Sequence, residues 1–233
     1  MAGTVKEEAV KLRQNLDKVY KAGQKSEYDR FWDAFQENGN RTNHTYAFCG
    51  TGWTQETFRP KYPVKPVGSA AYMFRYLLIA DLKAHCEQYG IVIDTSKATN
   101  VDTLFQQSIV ETFGDLDTRG CNSVIGALYQ ATTMRTIRII LRDDGSQTFQ
   151  RNFTNANNLE NLDIVGVIGQ NGIDLHWSTE LTHDSLMSVI NALEDYSEDT
   201  TGTIWTLIIG STNCAKLSED DLEIAYNKGW MVQ

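Results

Sequence analysis

Two stretches of this chain carry the same apolar pattern at the same spacing. Each has an apolar residue, then a small one, then three more apolar ones, and every position of the second stretch lies 25 residues after its counterpart. The first set is Leu128, Ala131, Met134, Ile137 and Ile139, and the second is Phe153, Ala156, Leu159, Leu162 and Ile164. A segment this short cannot bury its own apolar face, so such segments stack and share one core. The repeat therefore predicts a stacked architecture that presents a surface for binding or assembly.

This spacing is typical of a leucine-rich-repeat coil, in which a short helical or irregular arm leads into a strand. We expect strands at 138–142 and 161–165. Their alternation points the apolar repeat positions inward and predicts that Arg138 and Asp163 lie on the outward face of the sheet. The repeat surface is thus the first candidate for a functional contact.

Other elements follow from local signals. A degenerate repeat unit begins at Leu104, with Asp115 at its last apolar position. Apolar spacing predicts a helix over 69–88, and the run 204–209 predicts the last strand. Thr182 predicts the start of one helix, and Ser218 followed by acidic residues predicts the start of a final helix, because a hydroxyl and carboxylates suit a helix N-terminus.

The predicted fold is α+β, with two parts. Residues 1–90 form a helical and aromatic region for oligomerisation or docking, and residues 91–233 form a short leucine-rich-repeat solenoid sealed by C-terminal capping helices. Near the N-terminus a heptad-like seam predicts self-association; its members are Val5, Ala9, Leu12, Leu16 and Val19. The alternative is that this helix packs on its own domain.

An aromatic segment offers a second candidate contact. Tyr46, Trp53 and Tyr62 stand among Gly, Thr and Pro residues, and exposed aromatic rings stack on sugar faces. These rings are therefore candidate ligand-binding residues, with the core of a small subdomain as the alternative. An exposed Trp53 beside two convergent carboxylates would favour a glycan-cleaving enzyme, whereas a buried Trp53 would exclude it.

Composition and spacing argue against several functional classes. The net charge is −9 without a basic stretch, which disfavours nucleic acid as a partner. No apolar run reaches the roughly 20 residues of a transmembrane helix, and the first residues lack the apolar stretch of a signal peptide. The histidines lack metal-ligand spacing, and the consecutive residues His183, Asp184 and Ser185 cannot face one another as a triad. We expect no cofactor, no metal and no enzymatic activity.

Three phrases and the 25-residue repeats together suggest a family. The phrases are Tyr-Asp-Arg-Phe-Trp-Asp-Ala-Phe-Gln (28–36), Ser-Leu-Met-Ser-Val-Ile-Asn-Ala-Leu (185–193) and Asn-Lys-Gly-Trp (227–230). With the repeats, they resemble BspA-type leucine-rich-repeat proteins of phages and prophages of gut Gram-positive bacteria. The resemblance extends from residue 26 to the C-terminus.

The resemblance implies a virion structural protein, associated with the tail or baseplate, with host adhesion through the repeat surface. The expected partners are further copies of the chain, as in a trimer, other virion proteins, and a host-surface protein or glycan. The expected location is the virion, after synthesis in the bacterial cytoplasm. The alternative is a bacterial leucine-rich-repeat adhesin or glycan-binding protein in the cytoplasm, or at the cell surface by a non-classical route.

Overall fold

The computed structural model describes residues 44–60 and 62–233. This part of the chain is mixed helix and sheet, with three small sheets. The helices are α1 (Leu82–Tyr89), α2 (His183–Ala192), α3 (Gly210–Cys214) and α4 (Glu219–Asn227). The strands are β1 (Thr112–Asp117), β2 (Ser123–Ile125), β3 (Thr136–Ile140), β4 (Thr148–Gln150), β5 (Asn161–Val165), β6 (Trp205–Leu207) and β7 (Trp230–Val232).

Each sheet in the described part is parallel. The largest has the strand order β1-β3-β5, while β2 pairs with β4 and β6 pairs with β7. In the β3–β5 pair, Ile139 lies opposite Ile164, so the two repeated stretches are hydrogen-bonded neighbours in register. The sequence repeat thus corresponds to the spacing between adjacent parallel strands.

The register of β1 differs from the one that we expected for the degenerate unit. Asp115 pairs with Arg138, and Leu116 pairs with Ile139, because the ladder contains an irregularity between Thr112 and Asp115. Leu116 is fully buried and fills the last apolar position in place of Asp115. The irregularity places Leu116 in the core although, in the sequence, it lies one residue beyond the last apolar position of the repeat.

Five short segments of the described chain share one backbone geometry. The first and fifth residues of each have a positive φ, although most of them are not glycine. We call these segments, 46–50, 72–76, 103–107, 126–130 and 151–155, the arm segments. Backbone N–H groups of one segment donate to carbonyl groups in or beside the next, as from Phe48 to Met73 (3.0 Å) and from Phe74 to Leu104 (3.0 Å). Hydrogen bonds between residues distant in sequence therefore hold this geometry.

The central residue of each arm segment is buried and forms part of one column. These residues are Phe48, Phe74, Phe105, Leu128 and Phe153. The rings of Phe48 and Phe74 stack with centroids 5.9 Å apart, and those of Phe74 and Phe105 stack at 5.6 Å. We call this set the ring column. It is a continuous apolar core beneath the arm segments.

The pairing between successive segments does not stop at the predicted domain boundary. Within residues 44–60 and 62–233, its first pair involves His44, whose N–H donates to the carbonyl of Ser69 (2.6 Å). Parallel bridges then join Val64 to Ile93 and Ser69 to Asn100. The boundary predicted between 1–90 and 91–233 falls inside this series of pairs.

The helix predicted over 69–88 is wrong over residues 69–81. Helix α1 begins only at Leu82, where the Asp81 carboxylate accepts a hydrogen bond from the N–H of Ala84. Residues 72–76 form an arm segment instead, with Phe74 in the ring column. Tertiary hydrogen bonds and ring packing override the local preference for helix there.

Helix α2 covers the outer edge of the three-stranded sheet. The hydroxyl oxygens of Ser185 and Ser188 each accept a hydrogen bond of 2.9 Å from β5, from the N–H groups of Leu162 and Ile164. These donors would otherwise belong to an unpaired strand edge, which is a site of unwanted association. The predicted Thr182 N-cap is confirmed, since its hydroxyl accepts from the Ser185 N–H.

Hydrogen bonds join the C-terminal elements to the end of α2. The capping box predicted at Ser218 is confirmed, with Asp221 as its partner, and opens α4. Lys228 then donates to three carbonyl groups near the end of α2, including that of Asn191 at 2.7 Å. The last strand is β7 and not 204–209, because Trp230 returns to pair with Trp205.

Candidate functional site

The outward face of the three-stranded sheet presents charged residues in repeated rows. In one row Asp115, Arg138 and Asp163 occupy paired positions of β1, β3 and β5. All three are exposed, whereas their neighbours Leu116, Ile139 and Ile164 are buried. We call this outward side the sheet face. The predicted outward orientation of Arg138 and Asp163 is therefore confirmed.

A second row lies just before these strands and has the same order of charges. Arg135 contacts Glu111, with 3.8 Å between its Nε and the carboxylate oxygen, and pairs with Glu160 on its other side. In the first row, Arg138 pairs with Asp163 at 3.1 Å. Such half-exposed ion pairs contribute only about 0–1 kcal/mol each. Their main consequence is a fixed pattern of acid, arginine and acid across adjacent strands.

A trough crosses the sheet face between α1 and α2. It consists of two concavities of about 510 Å³ and about 480 Å³ that share the residues Lys83, Phe113, Gly114 and Asp115. The first runs over β3 and β5 to the start of α2, and the second lies beside α1 and residues 91–93. We call both together the sheet trough. It is long enough to receive a partner segment that crosses several strands.

Gly114 creates the open centre of the sheet trough. A Cβ placed on this residue would meet nothing within 4 Å, so the missing side chain leaves free space over the sheet. Phe113 beside it is only 5% exposed and contributes an apolar floor. The trough therefore combines an apolar base with charged walls, as is usual for recognition sites.

Two titratable groups that line the sheet trough, Lys83 and Cys86, have raised pKa values. Lys83 donates to the Glu87 carboxylate at 2.6 Å, and this hydrogen bond raises the pKa of the lysine. Burial raises the pKa of the Cys86 thiol to about 12. Lys83 therefore remains cationic and Cys86 remains a neutral thiol near pH 7, which suits binding more than nucleophilic chemistry.

Of the predicted site residues, the structure describes the repeat positions and Tyr46, Trp53 and Tyr62, but not the seam. The ten repeat positions, Leu128, Ala131, Met134, Ile137, Ile139, Phe153, Ala156, Leu159, Leu162 and Ile164, are all buried. The seam residues Val5, Ala9, Leu12, Leu16 and Val19 lie outside the described residues. Four of the repeat positions, Ile137, Ile139, Leu162 and Ile164, thus lie in β3 and β5, and Ile137 and Leu162 also line the first concavity of the trough.

The candidate aromatics do not share one environment. Tyr46 is 51% exposed and stacks on Tyr72 with centroids 4.7 Å apart. Trp53 is half-buried and meets Phe48 edge-on at 5.6 Å. Tyr62 is 36% exposed. Of the three, Tyr46 therefore presents the most open ring, and it belongs to an arm segment.

Sequence reasoning missed several residues of the sheet trough. Lys83 and Gly114 gave no signal, because only the fold brings α1 beside β1. The row of Glu111, Arg135 and Glu160 was detectable, since these charges recur at the spacing of the apolar repeat. Comparing polar as well as apolar positions between repeats would have found it.

Two other kinds of functional feature, a metal site and a membrane-spanning helix, are absent from the described residues. Among residues 44–60 and 62–233, no group of three or more His, Cys, Asp or Glu side chains is arranged to hold a metal ion. No helix within these ranges has the length and apolarity needed to cross a membrane. Comparisons of the chain with protein-family models, curated proteins and solved structures found no match.

Proposed function

We propose that this chain is a non-enzymatic structural protein of a phage virion, associated with the tail or baseplate, that contacts its partner through the sheet trough. The observation that carries the recognition part is the sheet trough itself. An apolar floor carries one row of charges, Asp115, Arg138 and Asp163, and is opened at its centre by Gly114. The virion setting rests on the resemblance to BspA-type proteins.

The proposed architecture is a leucine-rich-repeat solenoid. Parallel pairing of strands about one repeat apart supports it, as does the recurrence of the arm segments. The buried ring column supplies the shared core that a stack of short repeats requires. The side of such a stack that carries the parallel strands is an extended surface suited to a protein partner.

The test of the contact is a variant that fills the trough. Gly114→Trp adds a large ring where a Cβ has open space and where φ is not positive, so the fold should be retained. The matched control is Glu198→Trp, which adds the same ring at an exposed position. We expect G114W to reduce incorporation of the chain into particles severalfold, with E198W unaffected. Equal incorporation of both variants would refute a role for the trough.

The virion setting has its own test. Particles purified from a culture that produces this chain would be labelled with a gold-conjugated antibody and imaged by electron microscopy. Label at one end of the tail is the expected result. Label on intact bacteria but not on particles would favour a bacterial leucine-rich-repeat adhesin instead.

The proposed copy number rests on the heptad seam from Val5 to Val19. Several linked copies would add avidity to weak single contacts. The solution mass of the full chain should be that of a trimer or another oligomer and should fall to that of a monomer when the chain starts at Ser26. A monomeric full chain would refute self-association through this segment.

A further inference from the structure

A second concavity lies on the arm segments, away from the sheet trough. It has a volume of about 480 Å³ and is lined by the amides of Gln107, Gln130, Asn155 and Asn157 together with hydroxyl-bearing residues. The first three of these amides form a row. All of its lining residues are uncharged, and Ile109 adds a 40% exposed apolar side chain at its border. We call it the amide cleft.

The three amides stand at one equivalent position in successive arm segments. Gln107, Gln130 and Asn155 are each the last residue of a segment, and each has a positive φ. The N–H of Gln107 donates to the carbonyl of Gln130 (3.3 Å), and the N–H of Gln130 donates to that of Thr154 (3.0 Å). The backbone thus presents the amides in a row along the direction of stacking.

Other protein groups occupy only part of the hydrogen-bonding capacity of this row. The Gln130 side-chain oxygen accepts from the Gln106 amide at 3.1 Å. The side chain of Gln107 is exposed and that of Asn155 is partly exposed, so both amides are open to a ligand. At the base, Ser108 is only 3% exposed, and its hydroxyl has no partner among the described residues. The cleft therefore offers several donors and acceptors to a ligand.

The wall of the cleft is held by bonds that leave these groups free. The Thr133 hydroxyl bonds to the carbonyl groups of Ser108 and Val110, both at 3.1 Å. The Asn158 amide donates to the carbonyl of Thr132 at 2.6 Å. A cleft that is already ordered costs less conformational entropy when a ligand binds.

We propose that the amide cleft binds a neutral, extended glycan that lies along the row of arm segments. An amide carries a donor and an acceptor side by side, and each sugar hydroxyl is both donor and acceptor. Hydrogen-bonded neighbouring segments lie about 4.8 Å apart, which is close to the length of one pyranose unit in an extended 1,4-linked chain. The uncharged lining favours a neutral sugar over an acidic one.

The preceding arm segment extends this row with an aromatic ring. Tyr76 occupies the same last position, with a positive φ, and its N–H donates to the carbonyl of Gln106. Arg75 donates to the Tyr76 hydroxyl at 2.9 Å. The Arg75 guanidinium lies over one face of the Tyr76 ring, 4.6 Å from its centroid, so only the opposite face could receive a sugar ring.

The test is calorimetric titration of the full chain with chitohexaose and with cellohexaose, beside glucose. The variant is Gln130→Glu with Asn155→Asp. The change at Gln130 keeps the oxygen that accepts from Gln106 but removes the free amide donor, and both changes preserve side-chain shape, so the fold should be retained. The matched control is Gln170→Glu with Asn171→Asp, which makes the same two changes at exposed positions outside the cleft.

We expect saturable binding of at least one hexasaccharide. Glucose should bind much more weakly, because a single sugar ring reaches only one amide of the row. The double variant should bind about tenfold more weakly, while the chain with Gln170→Glu and Asn171→Asp should bind as the unaltered chain does. The absence of saturable binding of either hexasaccharide would overturn the proposal, as would equal affinity of the double variant. Because G114W tests the other surface, failure of one proposal does not imply failure of the other.

Discussion

Truncation of Phe74 should destabilise the chain strongly, because this ring joins the largest aromatic cluster of the described core. The side chain is fully buried, and its ring contacts Phe48, Phe58, Phe105 and Phe113 at centroid distances from 5.6 to 6.2 Å. Removing a buried Phe side chain costs about 3–5 kcal/mol through lost burial and the cavity that remains. With four ring partners, we expect Phe74→Ala to lower the free energy of unfolding by about 4 kcal/mol.

The matched control is Phe74→Leu, because leucine already occupies this place in the ring column at Leu128. A leucine keeps most of the apolar volume, so F74L should cost no more than about 1.5 kcal/mol. Both variants would be compared with the unaltered chain by urea unfolding, followed by circular dichroism. At a slope of about 2 kcal/mol per molar urea, F74A should lower the midpoint by about 2 M. A loss below about 1 kcal/mol for F74A would refute the view that the ring column is a continuous core.

Two further predictions concern pH and close packing. His183 lies 3.1 Å from the Asp221 carboxylate, which raises the pKa of the imidazole above its ordinary value of 6.5. The contribution of this ion pair to stability is therefore full below pH 6.5 and is lost as pH rises through the raised pKa. The unfolding temperature should therefore fall as pH rises above about 6.5, and His183→Gln should remove this step. An unchanged pH profile in thermal unfolding would contradict the assignment. A Cβ on Gly169 would overlap the backbone carbonyl of Gly145, whereas one on Gly114 meets nothing. Gly169→Ala should thus cost about 3 kcal/mol and Gly114→Ala less than about 1 kcal/mol in denaturant unfolding, and equal losses would show that the two segments do not pack this closely.

Part of the fold could be predicted from local signals alone. The apolar spacing located β5 at its observed bounds and placed Ile139 and Ile164 on the inner side. The hydroxyl and acidic signals located the starts of α2 and α4. These predictions succeeded because burial on one face and capping of a helix depend on neighbours within a few residues.

The sheet trough and the amide cleft could not be predicted in this way. The trough needs α1 beside β1, and the cleft needs the ends of three arm segments in one row. Neither set of residues is adjacent in sequence. Recurrence at one repeat length was a usable signal only where a charged residue recurs in each repeat. The row of Glu111, Arg135 and Glu160 is the example.

The sequence by itself determined which side chains are apolar, how they recur, and hence which residues face the core. Only the tertiary structure decided the backbone of the arm segments. A positive φ at a residue such as Tyr72, Gln107 or Arg151 costs about 1–2 kcal/mol when considered locally, so no local rule would assign it. Stacked neighbours offset that cost through hydrogen bonds between segments and through burial of the ring column. The same contacts replaced the predicted helix around Phe74, because they exist only once the repeats are stacked.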